Sequence, residues 1–284
     1  MMSDDLGTEA ENTWCPGCGN FGILNAVKSA VEKLEDEGLE RERIIISAGI
    51  GCHAKIFDYL DLSGFYSIHG RAVSTIQGIK FANPELEVIG FGGDGDSYGE
   101  GLAHLIFAAK RNADITMVIH NNGNYALTTG QTSPTSVEGF KGPSTPEGSK
   151  EKPINPLDVL LSSGASFISR GYPGKMNHLS DLLVKAVMHE GFSLVDVLQP
   201  CVTFNDTYEK YNELVEILDQ PAETRDEARE LALKEESLPI GVLYEEDIPV
   251  FNEKVYPEKN PLKDKLSKKK RLKCIEEIIE NRKG

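Results

Sequence analysis

Apolar residues recur at helical spacing from Phe21 to Glu37, where Ile23, Leu24, Val27, Ala30, Val31 and Leu34 fall on one face. Gly38 supplies the stop. The pattern then changes period. Arg43-Ile-Ile-Ile-Ser47 is the short β-branched run of a buried strand, and Leu86–Phe91, Ile115–Ile119 and Phe192–Leu198 read the same way. Helical stretches at Val73–Ala82, Gly99–Arg111, Leu157–Ser163 and His178–Glu190 complete the alternation. Strands alternating with helices predict an α/β fold with a mostly parallel sheet flanked by helices.

Other segments break this rhythm. Residues 128–156 are rich in Gly, Pro, Ser and Thr, the composition of a functional or mobile loop. Beyond Cys201 the chain turns acidic and helical in pattern over 204–236, then carries Pro and little periodicity over 247–262. Leu262–Lys283 is a charged helix candidate containing Lys268-Lys-Lys-Arg271. The expected organisation is an α/β domain over 13–205, a charged and largely helical extension over 206–284, and a loose leader over 1–12.

Composition narrows the function. The 284 residues allow one large domain or two small ones. With 45 acidic against 30 basic residues the net charge is −15, a poor match to nucleic acid or an anionic membrane. No run approaches the ~18 apolar residues of a membrane span. Met1–Asn12 has neither a basic start nor an apolar stretch, so no secretory signal is expected and the cytoplasm is the expected location. Five cysteines are too few and too scattered for a disulfide framework, but Cys15 and Cys18 form a C-x-x-C, which points to metal, cluster or redox chemistry.

In open α/β sheets ligands bind on the loops after the strands' carboxyl ends. Four such loops stand out: Ala48-Gly-Ile-Gly-Cys-His-Ala-Lys55, Gly92-Gly-Asp-Gly-Asp96, His120-Asn-Asn-Gly-Asn-Tyr-Ala-Leu127 and Gln199-Pro-Cys201. The second lets backbone approach a phosphate and supplies the Asp94 carboxylate. Twenty-five residues separate Gly95 from Asn121-Asn122, enough for a helix and a return strand that make the loops neighbours. An Asp oxygen, an amide oxygen and a backbone carbonyl, completed by two phosphate oxygens and a water, make an octahedral Mg²⁺ site.

This arrangement resembles the thiamine diphosphate signature. Trp14-Cys-Pro-Gly-Cys-Gly19, Gly49-Ile-Gly-Cys52, His69-Gly-Arg71, Lys80-Phe-Ala-Asn-Pro84, Gly93-Asp-Gly-Asp96, Gly130-Gln-Thr-Ser-Pro134, Gly191-Phe-Ser-Leu-Val-Asp196 and Gln199-Pro-Cys-Val-Thr-Phe-Asn205 extend it. Together they resemble the β subunit of 2-oxoacid:ferredoxin oxidoreductases over about residues 12–205, in the 2-oxoglutarate-type branch. The resemblance implies CoA-dependent oxidative decarboxylation of a 2-oxoacid, 2-oxoglutarate first and pyruvate second, with electrons passed through a 4Fe–4S cluster to ferredoxin. It assigns Cys15, Cys18, Cys52 and Cys201 to that cluster. It assigns Asp94, Asn122 and the Asn124 carbonyl to magnesium. Ile50, Gly51, Cys52, His53, His69, Gly95, Asp96, Ala126 and Leu127 become thiamine diphosphate contacts, and Lys55 and Arg71 candidate partners of the substrate carboxylate.

Spacing alone leaves cluster and structural zinc equally open; the family motifs favour the cluster. Cys18 at a helix start is expected to favour thiolate. Cys274 reads as an ordinary thiol, and His104 and His120 as satisfied structural histidines. Where many relatives place a lysine before the Gly-Gln pair, this chain has Thr129. The motifs are those of the diphosphate side only, so an α subunit is expected to supply the pyrimidine side, with further small subunits as possible additions. A non-oxidative decarboxylase or carboligase and a zinc-stabilised non-enzymatic module are the competing readings.

Overall fold

A computed structural model describes residues 6–255, 260, 262–263 and 266–282. The first helix, α1 (Gly19–Asp36), carries the predicted apolar face inward. Strand β1 (Ile44–Ala48) follows and pairs with the short edge strand β2 (Ser63–Tyr66). Helix α2 (Ala72–Ala82) leads to β3 (Glu87–Gly93), and α3 (Leu102–Arg111) to β4 (Ile115–Asn121). After the long loop come α4 (Pro156–Ser162), β5 (Phe167–Gly171), α5 (Met176–Met188) and β6 (Phe192–Leu198).

The sheet has eight strands in the order β2-β1-β3-β4-β6-β5-β8-β7. Here β7 is Val215–Ile217 and β8 is Leu238–Glu245. All pairings are parallel except β5 with β8. One apolar layer packs α1 and α5 on one face; Ala, Leu and Ile side chains of α2, α3, α4 and α7 (Arg225–Ala232) fill the other. Parallel strands covered on both faces are apolar almost throughout, as β6, buried at every position, illustrates.

Two expectations change. The leader is not loose from Leu6 onward: Leu6 is fully buried in the α1 layer and Gly7 bridges Leu60. Residues 1–5 lie outside the described residues. The segment after 206 is more than a helical extension, because β7 and β8 complete the sheet and Ile240 and Leu243 are buried. Pro239 and Gly241 interrupt the β pattern there, so the strand was hidden in the sequence. The terminal helix candidate forms α9 (Lys268–Asn281), after α6 (Tyr208–Leu214) and a short α8 (Phe251–Val255). Among the described residues no helix is long and apolar enough to cross a membrane.

Candidate functional site: two adjoining pockets at the carboxyl edge of the sheet

Strands β1, β3, β4 and β6 are adjacent and parallel, so the loops leaving their carboxyl ends converge. Asp96 ties two of them together. Its Oδ1 accepts from the backbone N–H of Ile50 (3.0 Å) and of Gly70 (2.8 Å). This close approach requires glycine at position 49, where a Cβ would stand 2.2 Å from the Asp96 carboxylate. Asp94 opens a π-helical turn, Gly95–Glu100, of the kind often found at functional sites. A Cβ at Gly95 would meet the Tyr125 ring at 2.2 Å, and the Tyr125 hydroxyl donates to the Gly95 carbonyl (3.1 Å).

Ile50, Gly51, Cys52, His53, His69, Asp94, Gly95, Asp96, Asn122, Asn124, Ala126 and Leu127 all line one cavity of about 80 Å³. Asp94 is buried, which pushes its carboxyl up to about 6 against hydrogen bonds from Ser133 and Thr135. Thr135 Oγ1 lies 2.8 Å from Asp94 Oδ2 and 2.8 Å from Asn121 Oδ1. Behind it, the Asn121 amide donates to Asp196 (3.2 Å), which also accepts from the Tyr98 hydroxyl (2.7 Å). Asn122 Oδ1 accepts from the Asn124 N–H (3.1 Å), while the buried Asn124 Oδ1 has no partner. A buried carboxylate that favours neutralisation, amide oxygens and an unsatisfied acceptor are the hard oxygen set that suits Mg²⁺.

His53 is buried, and loss of hydration lowers it to about 4, so it is neutral at pH 7. His120 is likewise held well below its usual value by burial. The expectation that His120 is fully satisfied is corrected: Nδ1 meets Asn20 Oδ1 at 2.8 Å, but Nε2 has no partner.

A second pocket, about 190 Å³, adjoins the first. It is lined by Cys15, Cys18, Cys52 and Cys201, with Lys55, Gln199 and Thr203. The C-x-x-C sits at the entry to α1, Cys52 follows β1, and Cys201 follows β6. Among the described residues no three His, Cys, Asp or Glu side chains form a site for a single metal ion. Four cysteine thiols brought to one cavity from three segments are the donor set that an iron–sulfur cluster takes. All five cysteines are free thiols. Burial pushes the Cys18 thiol up to about 11, against a backbone N–H at Asn20 and with the three neighbouring cysteines adding to the rise. In the free thiol, desolvation outweighs the pull of the helix dipole toward thiolate. Cys274 lies exposed in α9, away from both pockets.

Lys55 lines the cysteine pocket, with Nζ 3.4 Å from the Thr13 carbonyl. Arg71 does not line either pocket; its Nη1 donates to the carbonyls of Gly70 and Glu100, both at 3.1 Å. Gln199 joins the two pockets: Oε1 accepts from the Asn122 amide (2.9 Å), and Nε2 lies 3.6 Å from Cys18 Sγ. Gln199, Ser133, Thr135 and Tyr125 carry roles that residue type alone did not assign. The Gly130–Pro134 motif was the available signal for Ser133 and its neighbour Thr135.

Residues 49–197 match the thiamine pyrophosphate enzyme family, C-terminal TPP binding domain, and residues 201–260 match the family formed by the C-terminal part of the pyruvate ferredoxin oxidoreductase β chain. The chain is 42% identical over 268 residues to 2-oxoacid:ferredoxin oxidoreductase subunit beta of Saccharolobus solfataricus, covering 88% of this chain and 87% of that one. It is 34% identical over 257 residues to the 2-oxoglutarate synthase subunit KorB of Archaeoglobus fulgidus, covering 90% of each. A solved structure of 2-oxoglutarate:ferredoxin oxidoreductase from Magnetococcus marinus, with 2-oxoglutarate, coenzyme A and succinyl-CoA bound, superposes with a TM-score of 0.89 at 34% identity, over 97% of this chain and 96% of that one. A thiamine diphosphate-binding fold and full-length similarity of this order place the chain in the β-subunit family of 2-oxoacid:ferredoxin oxidoreductases.

Proposed function

We propose that the chain carries the diphosphate side of a CoA-dependent 2-oxoacid:ferredoxin oxidoreductase, with 2-oxoglutarate as its leading substrate and pyruvate second. The observation that carries this reading is that the two pockets share Cys52, Asn122, Ala126 and Leu127. When bound, thiamine diphosphate supplies the nucleophilic carbon for 2-oxoacid decarboxylation and a 4Fe–4S cluster takes up the electrons, so the two groups must be close.

The chain's own residues have separable tasks in this reading. Asp94, Asn122 and Asn124 hold Mg²⁺ against the diphosphate, offsetting the repulsion an acidic protein would exert. Asp96 holds the 48–53 and 69–71 loops in register. Cys15, Cys18, Cys52 and Cys201 hold the cluster, and Gln199 keeps the metal loop and the cysteine pocket in fixed relation. Lys55 is the better candidate for a substrate carboxylate, because Arg71 is engaged by two backbone carbonyls.

The cofactor cavity is far smaller than the ~300 Å³ or more that encloses a ligand. Ile50 and Leu127 stand exposed at its mouth, with Phe65 and Ile68 also exposed on and after β2. An open half-site with an apolar rim supports a separate α subunit that closes the pyrimidine side. Further small subunits, ferredoxin, coenzyme A and a cytoplasmic location belong to the same proposal.

The test is anaerobic purification of the chain with its partner. Iron and sulfide near four per chain, bound thiamine diphosphate, and a kcat/KM favouring 2-oxoglutarate over other 2-oxoacids are expected. The chain alone should not reduce a dye acceptor with any 2-oxoacid. Full turnover by the homogeneous chain, zinc in place of iron, or non-oxidative release of aldehyde by the complex would each overturn the reading.

A further inference from the structure

Helix α9 has no buried residue, yet it is amphipathic. Leu272, Ile275, Ile278 and Ile279 are about half exposed, and Leu272, Ile275 and Ile279 recur at the three- and four-residue spacing of a helix seam. Its charges are segregated along its length. All five basic residues, Lys268, Lys269, Lys270, Arg271 and Lys273, lie in the first six positions; all three acidic ones, Glu276, Glu277 and Glu280, lie in the last six. This order opposes the helix dipole at both ends. The Lys273–Glu277 pair (3.8 Å) has the less favourable direction along the helix. A 14-residue helix of this kind is marginal in isolation.

We propose that α9 pairs antiparallel with α9 of a second copy of this chain. A block of positive charge followed by a block of negative charge is self-complementary only when two copies run in opposite directions. The seam then sets the register. Leu272 faces Ile275 of the second copy, and the stem of Lys268 covers Ile279. On the flank Lys269 faces Glu276 of the second copy, and the twofold axis repeats each contact. An anionic lipid surface fits less well, because Glu276 and Glu280 share a flank with Lys269 and Lys273.

The fold allows the contact. Lys263 pairs with Glu85, which lies just before β3 at the amino edge of the sheet. The helix begins five residues further on, so the pairing leaves the carboxyl-edge pockets and their apolar rim available to a different subunit.

The test uses the full chain, with its partner subunit present, in a Cys274→Ser background. Two differently tagged copies, one Leu272→Cys and one Ile275→Cys, are mixed and mildly oxidised. A disulfide-linked pair carrying both tags is expected, forming about tenfold faster than with Asn281→Cys on the opposite side of the helix. Lys269→Glu should slow this cross-link about tenfold, and Lys269→Glu with Glu276→Lys should restore it. Lys269→Glu improves the helix dipole, so slower cross-linking would report lost pairing rather than a weakened helix. No cross-link, equal rates at all positions, absence of rescue, or α9 captured instead by the partner subunit or by phosphatidylserine vesicles would overturn the proposal.

Discussion

Replacing Tyr98 by Phe isolates one buried hydrogen bond and reads out through pH. The Tyr98 hydroxyl donates to Asp196 Oδ1 at 2.7 Å, with both residues about 2% exposed. The ring stays packed, so no cavity forms. What is lost is a hydrogen bond to a carboxylate, worth about 1.5–3 kcal/mol, leaving Asn121 at 3.2 and 3.4 Å as the remaining donor on that group. Burial holds the Asp196 carboxyl above its usual range, opposed first by the Arg170 charge and then by Tyr98 and Asn121. The folded state therefore binds this proton more tightly than the unfolded chain, and stability falls as pH rises through the folded value. Removing the hydroxyl raises that value further. The loss should be largest where Asp196 is ionised and shrink on acidification, once Asp196 is protonated in both proteins. Urea unfolding of the two proteins across pH, with unchanged m-values, is the assay. A loss below about 0.5 kcal/mol at neutral pH, or one undiminished in acid, would refute the reasoning.

Other substitutions test the separate parts of the site. Asp94→Ala should weaken magnesium-dependent thiamine diphosphate binding by at least ~100-fold in calorimetry, more than loss of an outer partner usually costs. Serine at Cys15, Cys18, Cys52 or Cys201 should each lower the iron and visible absorbance of anaerobic protein, whereas Cys274→Ser should leave both unchanged; equal behaviour of all five would remove the assignment. Leu6→Ala should cost about 2–5 kcal/mol in unfolding experiments, because Leu6 is fully buried against the α1 layer.

Much of the fold was legible in the chain because parallel strands buried on both faces leave a strong signature. The apolar runs at Ile44–Ile46, Ile115–Ile119 and Phe192–Leu198 announce themselves without any tertiary information. Edge and mixed strands do not. Ser63–Tyr66 is exposed at every position, Phe167–Gly171 places the charged Arg170 inside, and Leu238–Glu245 carries Pro and Gly. Arg170 is tolerated there because its guanidinium reaches the Ala232 carbonyl at 3.1 Å and lies near the Asp196 charge, both supplied by distant segments. Leu6 shows the same limit: one apolar residue in a polar stretch has no period to reveal that it is buried.

By itself the sequence determined which chemical groups were available and, through loop spacing, that Asp94 and Asn122 would come from neighbouring strands. Strand alternation suffices for that, since a parallel β-helix-β unit returns each loop to the same edge. Only the tertiary structure decided how those groups are conditioned. Burial raises Asp94 and Cys18, Asp96 is spent on joining two loops, Arg71 on two carbonyls, and Gln199 links the two pockets. Hydration and hydrogen bonding are properties of a surrounding assembled from residues far apart in the chain, so no local pattern carries them.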